Sequence, residues 1–234
     1  MSKRVLVTGG NKGIGLAVSR AMLELDYEVV VVARDFKDFA LGGLPNVIEI
    51  EYDLSNIEGL KQLAQEIGNV DILINNAGFM QPKYTYDNYP KAAKEKIMNV
   101  DLYAPVELMN LLCENMKKNS SGRIVNVASI AGQIGHPDVW YGIAKAGLIN
   151  ATKIYGKLLG AHGISVNCIA PSPTETDMQK DNSEERKKEF KKTVSSGRFA
   201  QAEEVAKAIV WLATECPVYI NGITLDINDC SYPR

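Results

Sequence analysis

Short runs rich in valine and isoleucine alternate along this chain with longer segments of helical periodicity. The short runs have the length of β-strands, and several are apolar at consecutive positions: 5–8, 28–33, 47–52, 71–75, 123–128, 164–169 and 223–227. A strand with that pattern is buried on both faces, as in a parallel sheet whose crossover helices cover both sides. The alternation therefore predicts an α/β fold with a doubly wound parallel sheet of about seven strands and helices on both faces.

The segments between these runs predict the helices. One of them follows Ser55 and Asn56, either of which is a plausible N-cap, and the last follows Gln201. No linker, internal repeat or low-complexity tract divides the chain, so we expect a single domain over residues 1–234. The predicted helices cover 14–25, 57–67, 89–119, 139–162 and 202–214.

The segment from residue 174 to residue 198 departs from the alternation because it is polar and strongly charged. Its charges at 184–192 are typical of a solvated helix with opposite charges three or four residues apart. A helix with a wet outer face can also cover a ligand pocket. We expect both features here, a surface helix within a substrate lid over 174–198.

Composition and charge narrow the classes of function. The chain is 46% hydrophobic and 23% charged with a net charge of −2, which provides no basic field for nucleic acid or an anionic membrane. It has neither an apolar run near the ~18 residues of a membrane span nor the core of a signal peptide. The cysteines at 113, 168, 216 and 230 lack CxxC or metal spacing, which favours free thiols in a reducing compartment. We expect a soluble cytoplasmic protein without a metal.

The first predicted strand runs directly into a glycine loop, TGGNKGIG, over residues 8–15. Glycine permits a tight turn, and its missing side chain lets a diphosphate approach the backbone. The helix that follows offers unpaired N–H groups and the positive end of its dipole to phosphates. In the first strand-to-helix turn of such a fold, this loop predicts a dinucleotide site.

The end of the second strand indicates which dinucleotide is bound. NAD sites carry an acidic residue there for the ribose hydroxyls, but this strand ends in Ala33 followed by Arg34. The guanidinium of Arg34 suits a 2′-phosphate, and Lys12 adds a second positive charge. These residues favour NADP(H), although a shift of one residue in the alignment would place Asp35 at the key position.

Ser129, Tyr141 and Lys145 are the predicted reactive group. Tyr141 and Lys145 are four residues apart on a predicted helix and therefore share a face. A phenol has a pKa of about 10, and a neighbouring ammonium favours its ionised form. Ser129 follows a strand at the carboxyl edge of the sheet, where its hydroxyl can stabilise charge on a substrate oxygen. This arrangement predicts hydride transfer to or from a carbonyl or alcohol carbon, with Tyr141 as general acid and base.

These motifs resemble those of the short-chain dehydrogenase/reductase family, in its single-domain branch, over nearly the whole chain. The glycine loop is similar to the family's TGxxxGxG, residues 75–78 match its NNAG, and the tyrosine and lysine match its YxxxK. Residues 170–176, APSPTET, resemble its PGxxxT. The resemblance implies a Rossmann-type fold with NADP(H) bound against Gly9, Asn11, Lys12, Gly13, Ile14, Gly15, Arg34, Asp53, Leu54, Asn76, Ala77, Gly78, Tyr141, Lys145, Pro171, Thr174 and Thr176.

The chain also departs from the family pattern. Asp101 stands where the family has a catalytic asparagine, and Asn99 is two residues early. An aspartate there could still hold a relay water near Lys145, but its charge would favour the protonated lysine and alter the pH profile. The family's closing Asp-Gly-Gly is Asp-Ile-Asn at 226–228. These departures favour, as an alternative, a weakly active or inactive NADP(H)-binding sensor of the same fold.

Candidate substrate-pocket residues follow the reactive strand ends and are mostly apolar, which suits an aliphatic or aromatic carbonyl. They are Phe79, Met80, Gln133, Ile134, His136, Trp140 and Met178, of which Trp140 and Met178 are equally suited to packing in the core. An extended nucleotide-sugar epimerase or dehydratase shares the Tyr-x-x-x-Lys motif, but this chain leaves little length for a sugar-binding domain.

The family resemblance further implies a homodimer or homotetramer packed through the two long helices.

Overall fold

The structure is a computed structural model that describes residues 3–81, 84–180 and 182–234. It contains a parallel sheet of seven strands in the order β3-β2-β1-β4-β5-β6-β7. The strands are β1 (Arg4–Thr8), β2 (Glu28–Ala33), β3 (Val47–Glu51), β4 (Ile72–Asn75), β5 (Gly122–Val127), β6 (Ile164–Pro171) and β7 (Thr224–Ile227). The predicted Rossmann-type, doubly wound α/β fold is confirmed.

Helices cover both faces of the sheet, as consecutive apolar positions in the strands require. Leu6 and Val30 point into a core that includes residues of α2, α4 and α5, whereas Val5, Val7 and Val31 point into a second core with α1 and α7. The helices are α1 (Gly13–Glu24), α2 (Leu60–Ile67), α3 (Lys91–Met98), α4 (Ala104–Lys118), α5 (Val139–Gly160), α6 (Glu184–Lys191) and α7 (Ala202–Ala213).

The long helix expected over 89–119 is interrupted. A π-helical turn, Asn99–Tyr103, separates α3 from α4 and carries Asp101. A π-helical turn inserts an extra residue into the helix without changing its apolar character, so hydrophobic periodicity does not reveal it. The expected helix is therefore present from Lys91 to Lys118, but the sequence does not reveal that one of its turns is π-helical.

The expected start of α2 is also wrong. Neither Ser55 nor Asn56 caps the helix, which begins at Leu60. The Ser55 N–H donates instead to Asp53 Oδ1 at 2.9 Å, and the Tyr52 hydroxyl donates to the Asn56 carbonyl. These local side-chain bonds hold the segment in a turn and compete with helix formation.

The strand order places a crevice at the carboxyl edge of the sheet. From β1 the chain winds outward to β3, then returns to the other side of β1 with β4, so the direction of winding reverses between β1 and β4. Ligands of open α/β sheets bind at such a reversal. In the described part of the chain, no helix is long and apolar enough to cross a membrane.

Candidate active site

The glycine loop packs tightly against the segment that follows β4. A Cβ on Gly15 would lie 2.1 Å from the Gly9 carbonyl oxygen, and one on Gly9, whose φ is +64°, would lie 3.1 Å from Ala77 Cα. The Asn76 amide donates to the carbonyls of Thr8 and Gly9 at 2.9 and 3.2 Å. Side chains at either glycine would force these backbones apart, so the fold itself requires Gly9 and Gly15.

The N-terminus of α1 opens onto the same crevice. Lys12 is the N-cap residue, and no side chain in the described ranges caps the first turn. Gly13, Ile14 and Gly15 line the cavity at this point. Backbone N–H groups without intrahelical partners, together with the positive end of the helix dipole, make this turn suited to a phosphate.

Two cations line the cavity, Lys12 in the glycine loop and Arg34 just after β2. Within residues 3–81, 84–180 and 182–234, neither side chain forms an ion pair or a hydrogen bond. The Asn11 amide donates to the Asp35 carbonyl at 2.9 Å and so holds the glycine loop against the end of β2. Cationic side chains without a bonded acidic partner provide a place for an anionic group.

Asp53 and Leu54 also line the cavity. Lys96 approaches the Asp53 carboxylate at 3.9 Å. Partial burial raises the pKa of Asp53, but its hydrogen bonds with Ser55 and the charges of Lys96 and Arg34 outweigh burial and lower the pKa overall. Asp53 is therefore an anionic acceptor on the cavity wall.

Ser129, Tyr141 and Lys145 come together on the lining of the cavity, as the sequence predicts. Ser129 follows β5, and its Oγ accepts the Ala131 N–H at 3.1 Å. Tyr141 and Lys145 lie in the first two turns of α5, with Lys145 Nζ 5.6 Å from the Tyr141 ring centroid. Gly132 allows this packing, since a Cβ there would lie 2.6 Å from the Lys145 carbonyl carbon. The three side chains line one wall.

Asp101 lies behind this wall and is completely buried. Its Oδ1 is 2.9 Å from Lys145 Nζ, and its Oδ2 accepts the Phe79 N–H at 2.9 Å. Lys145 also donates to the Val127 carbonyl at 2.9 Å. The π-helical turn positions Asp101 for a direct contact with the lysine, so the structure contains an ion pair where the family pattern has an asparagine.

The charges around Tyr141 oppose one another. Burial raises the pKa of Tyr141, Lys145 lowers it, Asp101 raises it and the Ser129 side chain lowers it by hydrogen bonding; the pKa is raised overall. Burial lowers the pKa of Lys145, but the charge and hydrogen bond of Asp101 together with Tyr141 outweigh burial, and the pKa is raised. Lys145 is thus an ammonium at neutral pH, and Tyr141 holds its proton.

Asp138 is a buried residue of the site that the sequence analysis missed. It is the N-cap of α5, accepting the Tyr141 N–H, and it also accepts from the Tyr89 hydroxyl at 2.9 Å and the Gln81 N–H at 2.6 Å. It ties the loop after β4 to the helix that carries Tyr141. An aspartate immediately before a helical pattern is an N-cap signal, but its distant partners could not be read from the sequence.

One cavity of about 340 Å³ connects all these features. It is lined by every residue proposed above for the dinucleotide and by Ser129, whereas Asp101 lies beneath it. The segment expected to form a lid contributes Thr174, Thr176, Met178, Arg186 and Phe190 to the cavity wall, and the solvated helix expected within it is α6. Asp181, within the expected lid, lies outside the described residues.

The candidate substrate residues divide into two groups. Phe79, Met80, Ile134, His136 and Met178 line the cavity. Gln133 and Trp140 do not, and for them the prediction of a pocket position is wrong. The Gln133 amide donates to Asp226 at 2.7 Å, and Trp140 packs under Lys94, whose Nζ is 5.2 Å from its ring.

Comparison with known proteins gives consistent results. The family model for short chain dehydrogenase matches residues 3–187. The chain is 34% identical to 3-oxoacyl-(acyl-carrier-protein) reductase FabG of Vibrio cholerae serotype O1, covering 98% of this chain and 97% of that protein. It is 33% identical to the enzyme of the same name from Haemophilus influenzae, covering 98% of each.

Solved structures agree with the sequence relatives. A short chain dehydrogenase/reductase family protein superposes with a TM-score of 0.90 at 28% identity, covering 98% of this chain and 97% of that one. The ElxO protein with bound NADP superposes with a TM-score of 0.88 at 28% identity, covering 98% of each chain. The chain belongs to the short-chain dehydrogenase/reductase family of oxidoreductases.

Proposed function

We propose that this protein is an NADP(H)-dependent reductase of a carbonyl group, or the corresponding alcohol dehydrogenase, with Tyr141 as general acid and base. The observation that supports this most strongly is the position of Tyr141, Lys145 and Ser129 on the wall of the cavity that begins at the glycine loop. A protonated phenol beside a buried ammonium on the wall of such a cavity has the chemistry of a proton donor.

The residues of the cavity fit NADP(H). The space left by Gly9 and Gly15 and the open N-terminus of α1 suit the diphosphate, and the unpartnered side chains of Arg34 and Lys12 suit a 2′-phosphate. The solved ElxO structure with bound NADP has the same fold over 98% of this chain. When bound, the nicotinamide supplies or accepts the hydride.

Residues of this chain donate and accept the proton. In the direction of reduction, the Tyr141 hydroxyl gives its proton to the oxygen that becomes the alcohol, and the Ser129 hydroxyl donates a hydrogen bond to that oxygen. Lys145, held by Asp101 and the Val127 carbonyl, stabilises the phenolate that remains. Oxidation of the alcohol reverses these steps.

The test is oxidation of NADPH with a panel of ketones, aldehydes and a 3-oxoacyl thioester. The thioester is included because the FabG relatives align over 97% or more of their length. Tyr141→Phe should lower kcat by about 10²–10⁴-fold. Tyr155→Phe is the matched control, because Tyr155 lies on the same helix and its hydroxyl bonds to Asn110, away from the cavity. Equal rates for Tyr141→Phe and wild type would refute the proposal.

A second candidate function is an NADP(H)-binding sensor with little or no turnover. Two observations favour it. One is the Asp101–Lys145 ion pair. The other is the altered closing motif at 226–228, where the Asp226 carboxylate accepts hydrogen bonds from Gln133 and Arg234. Tight binding of NADPH without turnover across the panel would favour the sensor. Ready reduction of any simple ketone would count against it.

We also expect a cytoplasmic homodimer or homotetramer. Ile143, Ile154 and Leu158 lie on α5 and are 48%, 49% and 62% exposed. Residues 11 and 15 positions apart share a helix face, so they form an apolar stripe suited to a symmetric contact. Light scattering of the purified protein tests this, and a monomer at micromolar concentration would contradict it.

A further inference from the structure

Helix α6 brings a guanidinium to the substrate end of the cavity. Arg186 lies on the cavity wall with Ser129 and Tyr141 and is half-buried. Within the described residues it has no acidic partner, although the nearby Lys187 and Lys192 pair with Glu184 and Glu189. An arginine with most of its five N–H groups free, on the wall of a cavity, is suited to binding an anionic group.

The hydrogen-bonding partner of Arg186 is His136. Nη2 lies 3.2 Å from His136 Nε2, and because a guanidinium only donates, Nε2 accepts. The proton then sits on Nδ1, which faces the Asp138 carbonyl at 3.3 Å. Burial lowers the pKa of His136, and the charge of Arg186 lowers it further, so the ring is neutral at neutral pH.

The other tautomer of His136 is supported by the same backbone. The Asp138 N–H lies 3.1 Å from Nδ1 and can donate to it, which leaves the proton on Nε2. His136 can therefore change from acceptor to donor at Nε2 without rotating its ring. With an anion beside Arg186, both residues would donate to the same group.

We propose that Arg186 and His136 form a subsite for a carboxylate of the substrate, so that the substrate is an oxo acid or the corresponding hydroxy acid. Two donors, one from each residue, match the two oxygens of a carboxylate. The His136 and Tyr141 rings pack with centroids 5.5 Å apart, which places the subsite one ring away from the phenol. This inference rests on the proposed function and adds the class of substrate to it.

The kinetic test compares 4-oxopentanoate with its methyl ester, which has the same ketone without the negative charge. Wild type should prefer the acid in kcat/KM. Arg186→Met should lower the ratio of the two values by about 10–100-fold, the usual effect of losing a hydrogen bond to a charged group. Lys188→Met is the control, because Lys188 is an exposed cation of the same helix that does not line the cavity, and it should leave the ratio unchanged.

A wild-type preference for the ester, or an unchanged ratio in Arg186→Met, would overturn the subsite while leaving the proposed function standing. A calorimetric titration of 4-oxopentanoate into the protein with NADPH identifies the opposite case, in which the subsite exists but the proposed function is wrong. Binding that is lost in Arg186→Met and kept in Lys188→Met supports the subsite even if no compound of the panel is reduced, in which case the proposed function fails and the subsite stands. Absence of binding to wild type, or equal binding to Arg186→Met, overturns the subsite.

Discussion

Lys145 and Asp101 form an ion pair beneath the cavity wall, with Nζ 2.9 Å from Oδ1 and the two side chains 2% and 0% exposed. The pair is shielded from solvent, and Tyr141 lies beside it. The negative charge of Asp101 opposes the effect of Lys145 on the phenol. Asp101 therefore affects both the pKa of Tyr141 and the stability of the fold around the ion pair.

Asp101→Asn should shift the pH profile to lower pH. Removing the negative charge removes one cause that raises the pKa of Tyr141, so its pKa falls. Alcohol oxidation needs the phenolate and should therefore reach its maximum at lower pH, while ketone reduction should begin to decline at lower pH. The measurement is kcat/KM against pH in both directions.

Asp26→Asn controls for the change in net charge, because Asp26 is exposed and does not line the cavity. An acidic limb of oxidation that stays in place, or moves to higher pH, in Asp101→Asn would contradict the electrostatic account.

Asp101→Ala should destabilise the protein by about 3–5 kcal/mol at neutral pH, because it leaves the Lys145 ammonium buried without its partner. Urea unfolding followed by circular dichroism measures this. Glu114→Ala removes the acid of the solvent-exposed pair with Lys117 and should have little effect. Similar losses of unfolding free energy in the two variants would contradict the claim that burial of the Asp101–Lys145 pair causes the larger loss.

Arg34→Met should weaken NADPH binding by about tenfold or more, since a charge-assisted hydrogen bond to the 2′-phosphate is lost. NADH lacks that phosphate, and its dissociation constant should change much less. Fluorescence titration with both dinucleotides measures the ratio, and Arg20→Met, at an exposed position on α1 outside the cavity, is the control. An equal effect on NADPH and NADH would exclude Arg34 from the 2′-phosphate site.

Gly15→Ala should lower the free energy of unfolding by about 1–3 kcal/mol or more, the usual range for overpacking, and weaken NADPH binding. Its Cβ would lie 2.1 Å from the Gly9 carbonyl oxygen, so the loop and Asn76 must move apart. Gly135→Ala places a Cβ where no atom lies within 4 Å and is the control. Thermal unfolding of both variants, with and without NADPH, tests this prediction. A Tm of Gly15→Ala equal to that of wild type would contradict the described packing.

The residues predicted from local spacing are the ones that the structure brings together. Tyr141 and Lys145 share a helix face because four residues make about one turn, and Ser129 joins them because parallel strands end at one edge of the sheet. The glycine loop is equally local, since a strand, a tight turn and a helix follow one another directly. Their roles in binding and chemistry remain predictions for the experiments above.

The features that sequence reasoning missed depend on contacts between distant segments. The direct ion pair of Asp101 depends on a π-helical turn, and Asp138 binds Gln81 and Tyr89 from a loop about 50 residues earlier. Gln133 was expected in the pocket, but Asp226 in β7 holds it elsewhere. Spacing along the chain contains no information about such partners, because the fold alone brings them together.

Isotope labelling tests directly whether the protein transfers a hydride from NADPH to a carbonyl carbon with Tyr141 as the proton donor. The protein is incubated with a ketone that it reduces and with NADPH carrying deuterium at the transferred position, and the alcohol is analysed by mass spectrometry. We predict one deuterium in the alcohol, formed about 10²–10⁴-fold more slowly by Tyr141→Phe and at the wild-type rate by Tyr155→Phe. An alcohol without deuterium, or equal rates for Tyr141→Phe and wild type, would contradict it.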